Sequence, residues 1–239
     1  MLKKSRGIII HHTRFGENSR VVNIYTEDWG MRGFLLQRGK RKDNKAALLQ
    51  GLTLVGLVAY YKEKGGLQRI SEMRAQPVLQ SIHSDTQKST LTLFITELLY
   101  RSLKEENANP ELFNFLHHSI LILDHLEDSV AQFHLYFMIQ LSKHLGFYPN
   151  GICSNETPYF NLLEGIYTSS CNSEYEISNE LAQYLYQLSN ATFENFYHIE
   201  SIAGLRWQMI EALVKYYELH HTHGKNIQSH FVLKEVLHA

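Results

Sequence analysis

The feature that most constrains this chain is a change of hydrophobic period at Pro77. Before it, short runs rich in Val, Ile, Leu and Tyr are separated by turn residues; after it, apolar side chains recur every three or four residues. The first pattern suits strands and the second helices, because side chains alternate across a strand but return to one helix face after about 3.6 residues. The expected fold is therefore α+β: an N-terminal OB-like β-barrel over residues 1–78, followed by an all-α helical domain over residues 79–239.

Five segments read as strands: Arg6–Thr13, Arg20–Thr26, Met31–Gln37, Leu52–Lys62 and Gly66–Arg74. Turn residues separate them at Phe15–Asn18, Asp28–Gly30 and Lys64–Gly66. Between the third and fourth strands, Arg38–Lys45 (RGKRKDNK) is polar and aperiodic, and reads as a loop. So few short strands favour closure into a barrel, because a small open sheet leaves unpaired edges. Strand count alone fits an SH3-like barrel or a simple meander as well.

In the second part, Thr86–Leu103 reads as a helix with Ser84 or Asp85 as N-cap. Asn109-Pro110-Glu111 opens another that runs through Leu123. A third begins at Asp128 or Ser129 and is stopped by Gly146 and Pro149. Residues 150–178 show no stripe and are expected to be irregular. Helical spacing returns at Leu181–Leu188 and Leu205–Tyr217, with a short final helix over Phe231–Leu237.

Charge is divided in the same way. Residues up to Gln80 hold 15 Lys/Arg against 6 Asp/Glu, and the remainder hold 8 against 18, so the net charge of -1 conceals a basic barrel and an acidic helical part. Clustered cations with few compensating acids repel one another unless a polyanion is bound. Arg14, Arg20, Arg32, Arg38, Lys40, Arg41, Lys42 and Lys45 are the candidate phosphate ligands, with solvated surface charge as the competing account. Phe15 and Trp29, in turns, are the candidates for stacking on unpaired bases, whereas Tyr25 and Phe34 are expected to fill the barrel.

Other classes find little support. No apolar run approaches the roughly 20 residues of a membrane-spanning helix, and the opening MLKKSRGIII is too short in apolar residues for a secretory signal, so a cytoplasmic protein with free thiols at Cys153 and Cys171 is expected. The stretch from Gly33 to Gly39-Lys40-Arg41 fails as a phosphate loop, because its second glycine lies one position too far on and Arg41 replaces the hydroxyl residue. With no GxSxG, HExxH or GxGxxG, no enzyme activity is expected. His220, His221 and His223, with His230 nearby, lack acids or thiols at ligand spacing and also suit the C-terminal end of a helix, so neither metal nor cofactor is expected. His11-His12 and His117-His118 read as structural pairs.

Several motifs in order resemble a known family. Gly7-Ile8-Ile9-Ile10, then RFGENSRVVNIYT over Arg14–Thr26, then Gly30 and Arg38-Gly39-Lys40-Arg41, are similar to the opening of the RecO family of bacterial DNA repair and recombination mediators. Phe133-His134-Leu135-Tyr136-Phe137 and Leu145-Gly146-Phe147-Tyr148-Pro149 resemble that family's central helix and its end. The resemblance implies an OB fold and a helical domain, binding of single- and double-stranded DNA, and annealing of complementary strands. With RecR, it implies help in loading RecA onto strands coated by single-stranded-DNA-binding protein, whose tail the helical domain contacts. It puts Arg38, Lys40, Arg41 and Lys42 in a DNA-binding loop and implies association with the nucleoid. Many relatives carry two CxxC pairs; here the corresponding stretches are Cys153-Ser154-Asn155-Glu156 and Thr168-Ser169-Ser170-Cys171, so a structural zinc is not expected. The alternative to a recombination mediator is an RNA-binding or assembly adaptor with an OB fold, since phosphate contacts carry no sugar identity.

Overall fold

The computed structural model describes residues 1–17, 19–37, 45–63, 66–104, 107–127, 130–200, 203–222 and 226–237. Five strands, β1 (Leu2–Phe15), β2 (Ser19–Thr26), β3 (Gly30–Gln37), β4 (Leu54–Tyr60) and β5 (Gln68–Ala75), close into a barrel in the order β1-β2-β3-β5-β4. The N-terminal OB-like barrel expected from the strand pattern is therefore present. Closure depends on the length of β1, whose first half pairs with β4 and whose second half pairs with β2, both antiparallel. The far edge is sealed by a short parallel contact of β3 with β5, Phe34 beside Gln68 and Leu35 beside Arg69. Where β1 changes partner, Gly7 faces both Thr26 and Val55, and a Cβ there would lie 2.5 Å from the Ile24 methyl. Inside, Ile9, Val22, Ile24, Phe34, Leu36 and Leu57 form the centre of the core.

One irregularity in β1 sets the facing of its second half. Ile9 faces Ile24, but His11 faces Asn23, so Ile10 is an extra residue, a β-bulge. Because side chains alternate, one inserted residue exchanges the faces of everything after it. His12 and Arg14 consequently share a face with the buried Val22 and with Arg20, whereas His11, Thr13 and Phe15 share the opposite, outer face with Asn23, Val21 and Ser19.

Between β3 and β4 lies a single helical turn, α1 (Lys45–Leu48). After the barrel come α2 (Thr86–Ser102) and α3 (Pro110–His125), and the compact unit that contains the barrel runs from Met1 to His125. The Asp85 carboxylate caps α2 by accepting from the Lys88 amide at 2.9 Å, and Asn109 caps α3 by accepting from the Leu112 amide at 3.1 Å. The intervening chain is tied down by Asp124, whose carboxylate accepts from the Gln80 amide at 2.9 Å, the Ser81 amide at 2.8 Å and the Ile82 amide at 2.9 Å. Burial pushes the Asp124 carboxyl up, but these three amide donors outweigh it and hold it below the ordinary aspartate range.

The second compact unit runs from Leu126 to Ala239. Its central helix, α4 (Val130–Leu145), packs against α5 (Asn179–Ser189) and α6 (Ala203–Tyr217); a π-helical turn, Glu218–Thr222, and α7 (His230–Leu237) come after them in the chain. Residues 150–178, expected to be irregular, instead carry a small antiparallel sheet, β6 (Tyr159–Asn161) between β7 (Ile166–Thr168) and β8 (Glu176–Ile177). Strands this short contain too little alternation to be read from sequence. Tyrosines anchor this unit internally: Tyr217 donates to the Met138 carbonyl at 2.7 Å and Tyr216 to the Phe147 carbonyl at 2.6 Å.

Candidate nucleic-acid interface

Antiparallel pairing puts Arg14 of β1 directly opposite Arg20 of β2, and Arg20 opposite Leu36 of β3. The next rung is Phe15, Ser19 and Gln37, and the Gln37 side-chain carbonyl accepts a hydrogen bond from the Arg69 guanidinium at 2.9 Å. Three arginines and Phe15, which is 55% exposed, thus gather at the end of the barrel that carries the β1–β2 hairpin. Among the described residues, none of these arginines has a carboxylate at ion-pairing distance. The strands themselves explain this: β1, β2 and β3 contain Lys3, Lys4, Arg6, Arg14, Arg20 and Arg32 and no acid. Like charges facing each other across a ladder are destabilising, so the Arg14–Arg20 rung invites an anion.

His12 sits beside this rung. The Arg20 guanidinium donates to His12 Nδ1 at 3.4 Å, which requires the neutral tautomer with its proton on Nε2. Burial lowers the His12 pKa, and the adjacent Arg20 and His11 lower it further. On the outer face, the His11 ring stacks on Tyr100 of α2, with centroids 4.5 Å apart.

The remaining expected residues are distributed differently. Arg32 is half-buried and opposite Ile24, four residues along β3 from Leu36, so it does not join Arg14 and Arg20. Trp29, expected to be open to bases in its turn, is instead 6% exposed and part of the barrel core, 4.5 Å from the Tyr61 ring and 6.3 Å from Phe34. Thr26 folds the turn inward, its hydroxyl accepting from the Trp29 amide at 3.1 Å and donating to the Gly30 carbonyl at 2.9 Å, and burying the large indole seals that end of the barrel. Lys45 is the first residue of α1. Arg38, Lys40, Arg41 and Lys42 lie outside the described residues, directly after Gln37 in the chain.

The opposite end of the barrel is charge-balanced. Arg6 grips Glu27 through two hydrogen bonds of 2.7 and 2.6 Å, and that pairing holds the Glu27 carboxyl below its ordinary range. Lys3 and Lys4 share an open cavity with Asp28, Glu63, Trp29 and Tyr61.

Three participants, two at the hairpin end and one further along the outer face, are not legible in the sequence. His12 reads as structural, Arg69 joins through a parallel pairing of distant segments, and Tyr100 stands outside the apolar stripe of α2. Its aromatic ring on a helix face otherwise turned to solvent is the one available signal.

The positions of a CxxC knuckle do not fit a zinc ion. Among the described residues, no group of three or more His, Cys, Asp or Glu side chains is placed to hold a metal. Cys171 is exposed, and burial pushes the Cys153 thiol up, away from the thiolate a metal would need. His220 instead donates to the Leu162 carbonyl at 2.8 Å. No described helix is long and apolar enough to cross a membrane.

Two family models match the chain: Recombination protein O N terminal over residues 1–77, and Recombination protein O C terminal over residues 83–226. The chain is 36% identical over 241 residues to the DNA repair protein RecO of Bacteroides fragilis, covering 99% of each. It is 32% identical over 241 residues to that of Phocaeicola vulgatus, again covering 99% of each. To the RecO of Flavobacterium johnsoniae it is 31% identical over 240 residues, covering 98% of each.

Proposed function

The chain belongs to the RecO family of DNA repair proteins, with a role in DNA repair and recombination, and from that premise we propose that it is a non-enzymatic mediator working through direct contact with DNA. Residues 1–78 bind single- and double-stranded DNA, and residues 79–239 recruit proteins: RecR, and the tail of single-stranded-DNA-binding protein, so that RecA is loaded onto the coated strand. It acts in the cytoplasm at the nucleoid and needs no cofactor.

The observation that carries this is the Arg14–Arg20 rung beside Phe15, on strands β1 and β2 that contain no acid, with Arg69 of β5 near the same end of the barrel. Guanidinium groups neutralise phosphates and release their counterions, while the bases stay available for pairing. Two complementary strands repel through their phosphates, and a protein that screens both lowers the barrier to their meeting. Arg38, Lys40, Arg41, Lys42 and Lys45, coming after Gln37 in sequence, are proposed to add phosphate contacts, and Arg32 supplies charge further along β3.

Annealing of complementary strands coated by single-stranded-DNA-binding protein tests this directly, comparing the wild type with a variant lacking residues 38–45. The wild type accelerates annealing, the variant loses most of that acceleration, and DNA affinity falls steeply with salt. Salt-independent binding, or unchanged affinity when Arg38, Arg41 and Lys40 become Ala, overturns the reading. A clear preference for RNA in oligonucleotide competition replaces it with an RNA-binding adaptor.

A further inference from the structure

The outer face of β1, β2 and β3 is covered at one end and open at the other. Tyr25 of β2 is buried and stacks against Phe113 of α3, with ring centroids 6.4 Å apart. Further along the same face, Tyr100 of α2 lies on His11 with 26° between the ring planes, yet remains 41% exposed. Beyond that stack the same face runs through Thr13, Val21 and Ser19 to Phe15, with Thr13 and Phe15 exposed. His11 and Phe15 share a face four residues apart, hence about 13 Å along the strand. On the far side, Arg69 stands next to Leu35 and donates to Gln37.

The face thus carries the Tyr100–His11 stack and Phe15 over small side chains, with the Arg69 guanidinium at its far edge and no acid on the three strands beneath. Such a surface suits a strand whose bases are unpaired: stacking accepts any base, and the cations track the backbone. A duplex cannot use the rings, because its bases are already stacked on one another. Burial lowers the His11 pKa, so at neutral pH it backs Tyr100 as a neutral ring.

We propose that Tyr100, backed by His11, is a stacking platform for an unpaired base of single-stranded DNA, on a path that crosses the outer face of β1–β3 between Tyr100 and Arg69. This deepens the proposed function and rests on it. The α2 residue gives the barrel its distinction between single strands and duplex, while the Arg14–Arg20 rung holds either through phosphates.

The test uses the full-length protein, a fluorescent single-stranded oligonucleotide and the matching duplex. Tyr100→Ala weakens single-strand binding by about 5- to 150-fold while duplex affinity stays within about twofold, and Tyr100→Phe restores the single-strand affinity. Irradiation of a strand carrying 5-iodouracil crosslinks the wild type through the Tyr100 peptide, a readout independent of the variants' stability. Unchanged single-strand affinity in Tyr100→Ala, an equal loss on both substrates, or crosslinks confined to other peptides overturns the platform. If an Arg14→Ala/Arg20→Ala protein has weakened affinity for both substrates in the same experiment, the proposed function stands without the platform. If the wild type binds neither substrate, both fall together.

Discussion

The two ends of the barrel use the same residue types in opposite ways. At the turn end, Arg6 is held by Glu27, and Lys3 and Lys4 share their cavity with Asp28 and Glu63. At the hairpin end, Arg14 faces Arg20, Arg20 donates to a neutral histidine and Arg69 to a glutamine amide; Glu17 stands exposed in the hairpin turn, but among the described residues none of the three arginines has a carboxylate at ion-pairing distance. A cation satisfied inside its own fold contributes to stability and has little left for a ligand; one left facing another cation is set up for an external anion. In the helical unit Tyr216, Tyr217 and His220 likewise have their donors taken up inside the fold, each by a backbone carbonyl.

That contrast can be broken by substitution. Trp29→Ala, which empties part of the core at the turn end, is expected to cost about 3–5 kcal/mol of stability in urea denaturation. Its residual DNA affinity, measured below its melting point, should match the wild type; a large loss there would mean that the indole touches DNA after all. Arg14→Ala/Arg20→Ala should behave inversely, with an unchanged or slightly raised melting temperature. Its affinity should fall by about 10- to 100-fold near 0.1 M salt, and the dependence of log affinity on log salt should be shallower by about one to two. An unaltered salt slope would break the assignment of this rung to phosphate.

Smaller effects sharpen the same comparison. Glu27→Gln should cost about 1 kcal/mol or less, because the Arg6–Glu27 pair is partly exposed, and should leave DNA affinity unchanged. The Glu27 carboxyl is held below its ordinary pKa, so the stability it adds is present above the normal glutamate range and disappears as pH falls through the lowered value. His11 and His12 titrate in a different window. Their folded pKa values lie below the ordinary histidine value, so the unfolded chain binds protons first as pH drops below about 6.5, and stability declines from there. Melting temperatures from pH 7.5 to 5.5 should therefore fall less in a His12→Gln protein than in the wild type. An identical slope in both would mean that His12 contributes nothing to this pH dependence.

Much of the architecture is legible in the sequence because it is local. Alternation locates β1 to β5 to within a few residues, and apolar spacing with Asp85 and Asn109 as caps locates α2 and α3. The sheet of β6, β7 and β8 is not legible, since each strand is too short to show a period. Of the expected site residues, Arg14, Arg20 and Phe15 come together, but Arg32 lies apart and Trp29 turns inward. Turn placement suggests exposure for Trp29; the demand to close the barrel end with a large apolar side chain prevails.

What the sequence determined by itself was the order and kind of the elements, the excess of positive charge on the first part of the chain, and membership of a family. What only the tertiary structure decided was which of those charges share a face. The bulge at Ile10 shows why: without it Arg14 would stand opposite Ser19 on the outer face, and with it Arg14 meets Arg20. Neither that one-residue shift, nor the parallel contact that delivers Arg69 to Gln37, nor the packing of Tyr100 on His11, can be derived from local propensity. Each is settled by pairing between segments distant in sequence, where side-chain burial fixes the register.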